Sequence, residues 1–170
     1  MAMNYMESGR RPSESPVLPG GAICLPDLTI GGKTPEQLRK LLYSINGIFV
    51  GNYASEMLRR KDFATFNKPQ TITPVKATFS AMGLTDYQTL EEILARADEL
   101  GWDKIPAEAA VYMAIGMKNK PLGERIFMGM KPIGDVVFRL GLSGDGQWLS
   151  SHVAGWFYDS EGEFVFSLRK

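Results

Sequence analysis

The chain has 170 residues, with 19 lysines and arginines and 19 aspartates and glutamates, so its formal net charge is zero. This length favours one domain, and the balanced charge argues against a protein that mainly coats nucleic acid or an anionic membrane. One cysteine and one histidine exclude an intramolecular disulfide and the ordinary Cys/His zinc sites. The chain has neither a secretory signal pattern nor the run of ~18 apolar residues that a membrane span needs.

The first part of the chain carries no periodic pattern of apolar side chains. Proline, glycine and serine recur through it, and the prolines and glycines interrupt any helix or strand. We therefore predict an irregular leader at residues 1–27 and a single domain at residues 28–170.

Four helices are predicted after this leader. Thr34 followed by Gln37, and Thr89 followed by Glu92, fit the capping box, in which two side chains satisfy free amide groups at a helix N-terminus. Apolar residues after each box recur at the spacing of one helix face. The predicted helices cover residues 35–45, 53–60, 90–100 and 106–116.

The last third of the chain changes to a two-residue period, which is typical of strands. An earlier stretch, residues 71–80, is rich in β-branched residues and predicts one more strand, with Pro74 at its irregular start. Short turns separate the later strands and favour antiparallel neighbours. The element order predicts an α+β fold, in which N-terminal helices pack on a mostly antiparallel C-terminal sheet of about four strands. Those strands are placed at residues 124–130, 135–141, 147–153 and 163–168.

The only histidine, His152, is the candidate for acid–base or nucleophilic chemistry. Ser150 shares a strand face with His152, because side chains alternate along a strand. Nothing in the sequence identifies an acid that would orient the imidazole. A hydrolase that uses His152 with nearby carboxylates is therefore kept as one alternative function. The carboxylates in or beside the predicted turns are Asp145, Asp159, Glu161 and Glu163.

A basic run, Arg59-Arg60-Lys61, ends the second predicted helix. A helix-turn-helix protein presents such a helix to the major groove of DNA, so a DNA-binding or mobile-element-associated protein is a second alternative. The polar face of this helix is short and the chain has no net positive charge. Nucleic acid is therefore not the expected partner.

Aromatic residues are concentrated before the last predicted turn. Trp156, Phe157 and Tyr158 are consecutive, and an extended strand turns alternate side chains to opposite faces. Either Trp156 and Tyr158 would then face outward together, or Phe157 would. In the first case, Trp148 and His152 of the preceding strand could lie on the same face as Trp156 and Tyr158. Such side chains suit stacking, cation–π contacts or a protein interface. Trp148, His152, Trp156 and Tyr158 are the predicted binding residues.

Short blocks spread over about residues 28–170 carry a resemblance, and they include KTPEQLRKLL (33–42), VGNYASEML (50–58), IPAE (105–108), MGMKPI (128–133) and DGQWL (145–149). In order and spacing they resemble a family of small uncharacterised (hypothetical) proteins of uncultured candidate-phylum bacteria. Members of that family often have cysteine where this chain has Ile105, so the resemblance implies no cysteine chemistry here. It implies one domain behind a dispensable leader and transfers no activity, cofactor or catalytic residue.

The familiar catalytic patterns each lack a required residue, so the expected function is that of a non-enzymatic binding or interaction module. The expected location is the cytoplasm. The partner is an unidentified protein or small molecule, and no cofactor, metal ion or membrane is expected to take part.

Overall fold

The computed structural model describes residues 18, 21–116, 123, 125–144 and 146–170. Within these ranges the helices are α1 (Pro35–Tyr43), α2 (Asn52–Arg59), α3 (Phe79–Met82), α4 (Leu90–Glu99) and α5 (Ala109–Gly116). The strands in the same ranges are β1 (Ile23–Cys24), β2 (Leu28–Ile30), β3 (Ile48–Val50), β4 (Gln70–Ile72), β5 (Pro74–Thr78), β6 (Trp102–Asp103), β7 (Ile126–Met128), β8 (Val136–Ser143), β9 (Gly146–Val153) and β10 (Glu163–Leu168).

One large sheet organises these elements. Its strand order is β1-β5-β10-β7-β8-β9-β3, and β6 pairs with the end of β10. The pairs β10–β7 and β3–β9 are parallel, and the other pairings of this sheet are antiparallel. Strands β2 and β4 form a separate small sheet. β10 therefore joins the two sides of the large sheet.

The predicted layout of N-terminal helices on a four-stranded, mostly antiparallel C-terminal sheet is wrong. Over the described part of the chain, the large sheet has eight strands of mixed direction and takes β1, β3 and β5 from the N-terminal half. Helices and strands interleave along the sequence, so the architecture is mixed α/β. The physical reason is that β1 and β3 have two and three residues, too few for a strand period to be visible.

The helices predicted from capping patterns are confirmed. In α1, the Gln37 amide donates to Thr34 Oγ1 at 3.1 Å, and the Thr34 amide donates to the Gln37 side chain at 2.9 Å. The same reciprocal pair joins Thr89 and Glu92 at the start of α4. These contacts lie within four consecutive residues, so a short stretch of sequence is enough to specify them.

The two faces of the large sheet differ in how far they are covered. Helices α2 and α5 contact β9, and α5 also contacts β8. The buried side chains on that side are Phe138, Leu140 and Leu149. Because side chains alternate along a strand, Arg139 and His152 point to the opposite face, where both are half-buried. This half-open face carries the candidate site.

The boundary predicted at residue 27 lies after a strand of the large sheet. Ile23–Cys24 pairs antiparallel with β5, and both Ala22 and Cys24 are buried in the core. Residues 1–17 and 19–20 of the predicted leader lie outside the described residues.

Candidate functional site

An aromatic cluster centred on Phe127 of β7 occupies the half-open face. The ring centroid of Phe127 lies 4.9 Å from that of His152, 5.1 Å from that of Tyr158 and 5.3 Å from that of Phe164. Strand register explains these contacts, because Phe127 pairs with Arg139 of β8 on one side and with Phe164 of β10 on the other. His152 reaches the same ring diagonally from β9, across β8.

The loop after β9 turns Trp156 and Phe157 outward and Tyr158 inward. Trp156 is 63% exposed and Phe157 is 65% exposed, whereas Tyr158 is 2% exposed. The alternation predicted for an extended strand is wrong here, because β9 ends at Val153 and the backbone turns. Two backbone hydrogen bonds fix Tyr158. Its amide donates to the Gln88 carbonyl oxygen at 2.9 Å, and the Gln88 amide donates to the Tyr158 carbonyl oxygen at 3.1 Å. Of the predicted binding residues, Trp156 lies at the surface and Tyr158 is buried in the core.

Trp148 lies apart from this group. It pairs with Phe49 of β3, and the two rings stack with centroids 5.3 Å apart. Its indole nitrogen donates a 2.7 Å hydrogen bond to Ser143. His152 instead packs against Trp156 and Tyr158, with ring centroids 5.8 and 4.7 Å away. The structure therefore brings His152, Trp156 and Tyr158 together and leaves Trp148 in a second aromatic pair near the start of β9.

Burial sets the ionisation of the cluster. It raises the pKa of Tyr158 to about 12, so the phenol keeps its proton. Burial is also the main reason that the pKa of His152 is lowered, followed by the charges of Arg139 and Arg125, while Asp159 acts in the opposite direction. The imidazole is therefore neutral near pH 7.

Sequence reasoning does not find the two arginines of this cluster. The guanidinium carbon of Arg125 lies 5.6 Å from the Phe127 ring centroid, and that of Arg139 lies 5.9 Å from it. A signal for Arg139 does exist, because it interrupts the apolar stretch Val136–Leu140 inside a predicted strand. Charged side chains are seldom buried in such stretches unless they are paired.

The Ser150–His152 pair is not connected as a catalytic relay in the described structure. The Ser150 hydroxyl donates a long 3.4 Å hydrogen bond to the Arg139 carbonyl oxygen. Within the residues described, His152 Nε2 is buried without a hydrogen-bond partner. Asp159 contacts Arg125 at 3.4 Å rather than the imidazole. Of the other candidate carboxylates, Glu163 pairs with Lys76, Glu161 pairs with Arg125, and Asp145 lies outside the described residues.

The basic run at the end of α2 does not lie in a helix-turn-helix. Strand β3 separates α1 from α2 and pairs with β9, so the two helices are joined through the sheet rather than by a tight turn. Arg60, in the middle of the run, forms an ion pair of 2.9 Å with Asp62.

The described residues form surface cavities of about 590, 470 and 390 Å³. The lining of the first includes Trp102, that of the second Tyr43, and that of the third Phe66 and Ile105. None of these linings contains His152, so these cavities give the imidazole no substrate pocket.

Glu108, just before α5, is a fully buried carboxyl group that sequence reasoning does not single out. Its Oε1 accepts a 2.8 Å hydrogen bond from the Phe66 amide, which ties α5 to the segment after α2. Among the described residues, Oε2 has no hydrogen-bond partner. Burial raises the pKa of Glu108, and the backbone amides of Phe66 and Gly31 oppose the shift. The contact is structural, because it joins two backbone segments.

The raised pKa of Glu108 predicts a pH dependence of stability. Above its ordinary pKa of 4.5, the unfolded state loses the Glu108 proton before the folded state does, so this residue lowers stability as pH rises. Glu108→Gln imitates the neutral acid, and we expect the variant to gain stability relative to wild type as the pH rises above 4.5, the ordinary pKa of the group. Urea unfolding at several pH values measures this difference.

A carboxylate with the opposite shift provides the control for this experiment. The capping box lowers the pKa of Glu92, so the stability that wild type gains from this carboxylate is present above pH 4.5 and is lost as the pH falls below that value. Glu92→Gln should be less stable than wild type above pH 4.5, and the difference should shrink as the pH falls. If the Glu108→Gln profile runs parallel to wild type at all pH values, the assigned pKa direction is incorrect.

Comparisons with protein-family models, with curated proteins and with solved structures find no match to this chain. Among the described residues, no group of histidine, cysteine and acidic side chains is placed to hold a metal ion. None of the described helices has the length and apolar character that crossing a membrane requires.

Proposed function

We propose that the chain is a binding module without catalytic activity, and that it contacts a protein partner through the aromatic surface, which we define as Trp156, Phe157 and Tyr87. The proposal rests on the exposure of two neighbouring aromatic residues. Trp156 is 63% exposed and Phe157 is 65% exposed. Tyr87 is also exposed and lies next to Gln88, whose backbone pairs with Tyr158.

The backbone that carries these side chains is held in place, which favours binding. Besides the bridge between Gln88 and Tyr158, the Ser160 amide donates to the Asp86 carboxylate. Tyr87 has a φ of 65°, a left-handed conformation that is uncommon for a residue with a side chain. Fixed aromatic side chains lose little conformational freedom on association, and tryptophan and tyrosine are the residues most enriched at interface hot spots.

Trp156→Ala is expected to remove partner binding while leaving the fold intact. Because Trp156 is 63% exposed, the free energy of unfolding should change by less than about 1 kcal/mol, as for other surface substitutions. The measurement is quantitative affinity capture from an extract of the source cells, with wild-type and variant protein as baits and thermal unfolding of each bait measured in parallel.

Tyr53→Ala is the matched control, because Tyr53 is 69% exposed but lies on α2, away from the aromatic surface. Proteins that wild type and Tyr53→Ala retain, and that Trp156→Ala loses, support the proposal. If all three baits retain the same proteins, the proposal is contradicted. It is also contradicted if Trp156→Ala lowers the free energy of unfolding by several kcal/mol, because such a loss indicates a residue of the core.

A further inference from the structure

Three basic side chains meet at one aromatic ring on the half-open face. Each lies within 6 Å of the Phe127 ring centroid: Arg125 just before β7, Arg139 on β8 and His152 on β9. The ring provides an apolar base, and cation–π attraction holds guanidinium groups near it. Three groups that carry or can carry positive charge therefore share one small, partly desolvated area.

The two arginines differ in how their charge is balanced. Arg125 lies 3.4 Å from Asp159 and 3.7 Å from Glu161. No carboxylate in the described part of the chain forms an ion pair with Arg139. Its Nε is buried without a hydrogen-bond partner among those same residues. Burial, and then the charge of Arg125, lowers the pKa of Arg139, which shows that its surroundings disfavour the cation.

Such an arrangement costs stability unless an anion completes it. A half-buried guanidinium beside a second one is disfavoured by desolvation and by like-charge repulsion, and an apolar residue of similar volume would fill the position at lower free energy. Arginine is also the side chain best suited to bind carboxylate or phosphate through two parallel hydrogen bonds. We propose that Arg139, flanked by His152 and Arg125, binds an oxyanion, either a carboxylate or a phosphate group, of the ligand that contacts Trp156.

This inference rests on the proposed function in one respect, because it places the rest of the ligand against the aromatic surface. His152 connects the two parts, since its ring packs against both Phe127 and Trp156. The groups that face this imidazole are Arg139, Arg125, Asp159 and the neutral Tyr158. An anion bound at Arg139 offsets the arginine charges, so binding favours the protonated imidazole and strengthens as pH falls through the pKa of His152.

Titration of the untagged protein with inorganic phosphate tests the site directly. His152 is the only histidine, so its ring Hε1 proton gives one assignable NMR signal. We expect phosphate to shift this signal saturably and to raise the pKa of His152, whereas chloride at the same ionic strength does neither. Arg139→Gln should weaken phosphate binding about tenfold or more, because a hydrogen bond to a charged group is lost. Arg59→Gln, at an exposed arginine of α2, should leave binding unchanged.

Two results would overturn the oxyanion site. One is a wild-type protein whose NMR response to phosphate is the same as its response to chloride. This result does not depend on whether any variant folds. The other is a saturable response that a folded Arg139→Gln variant retains at wild-type affinity.

Phenyl phosphate and benzoate distinguish the two oxyanions and separate this inference from the proposed function. We expect at least one of them to bind more tightly than inorganic phosphate, and Trp156→Ala to remove that advantage without changing phosphate binding. If Trp156→Ala leaves the advantage intact while Arg139→Gln abolishes binding, the aromatic surface is incorrect and the oxyanion site stands. If Arg139→Gln changes nothing while Trp156→Ala loses the protein partner, the oxyanion site is incorrect and the proposed function stands.

Discussion

Phe127→Ala is expected to lower the free energy of unfolding by about 3–5 kcal/mol. Phe127 is 1% exposed and packs against His152, Tyr158 and Phe164, so its truncation leaves a cavity at the junction of β7, β8 and β10. Aromatic ring pairs contribute beyond the area they bury, and several of them are lost together. Urea or thermal unfolding monitored by circular dichroism measures the change.

Phe157→Ala is the matched control for this substitution. It removes the same atoms from a side chain that is 65% exposed, and we expect a change within about 0.5 kcal/mol. If the two variants are destabilised equally, the assignment of Phe127 to the centre of the cluster is wrong.

Gly31→Ala is expected to cost roughly 3 kcal/mol or more, from two independent effects. Gly31 has a φ of +91°, which side chains disfavour, and a Cβ atom there would lie 2.3 Å from the carbonyl oxygen of Lys68. That oxygen belongs to the backbone, so no side-chain rotation relieves the overlap. Thermal unfolding of the variant measures the combined cost.

Gly101→Ala separates the two effects. Gly101 follows α4 with a φ of +88°, and a Cβ there would have no heavy atom within 4 Å. This variant carries only the conformational penalty, which is about 1 kcal/mol. Equal costs at Gly31 and Gly101 would mean that the loop at Lys68 moves freely enough to accept a methyl group.

The parts of the fold that could be predicted are those that depend on short stretches of sequence. The capping boxes at Thr34 and Thr89 locate α1 and α4, and the strand at residues 163–168 is predicted with the bounds that β10 has. Which strands become neighbours depends on contacts between distant segments. Pairing of Ile48–Val50 with β9 is one example, because three apolar residues between two helices fit a buried linker equally well.

The candidate site shows the same division. His152 and Trp156 could be predicted, because a single histidine and a cluster of aromatic residues are visible in the sequence. Their association with Arg125 and Arg139 could not, since it depends on the register of β7, β8 and β9. The exposure of Phe157 depends on where β9 ends. A shift of one residue along a strand is enough to reverse which side chains face the solvent.

The position of β10 also bears on how the chain folds during synthesis. The strands synthesised before β10 include β1, β5, β7, β8 and β9. Because β10 lies between β5 and β7, the sheet cannot join these two strands until β10 pairs with both. Until then, β5 and β7 each have an unpaired edge, and such edges are prone to pair with other chains. The gap closes only after β10 has left the ribosome and paired with both strands, so we expect the nascent protein to become protease-resistant at that point and not before.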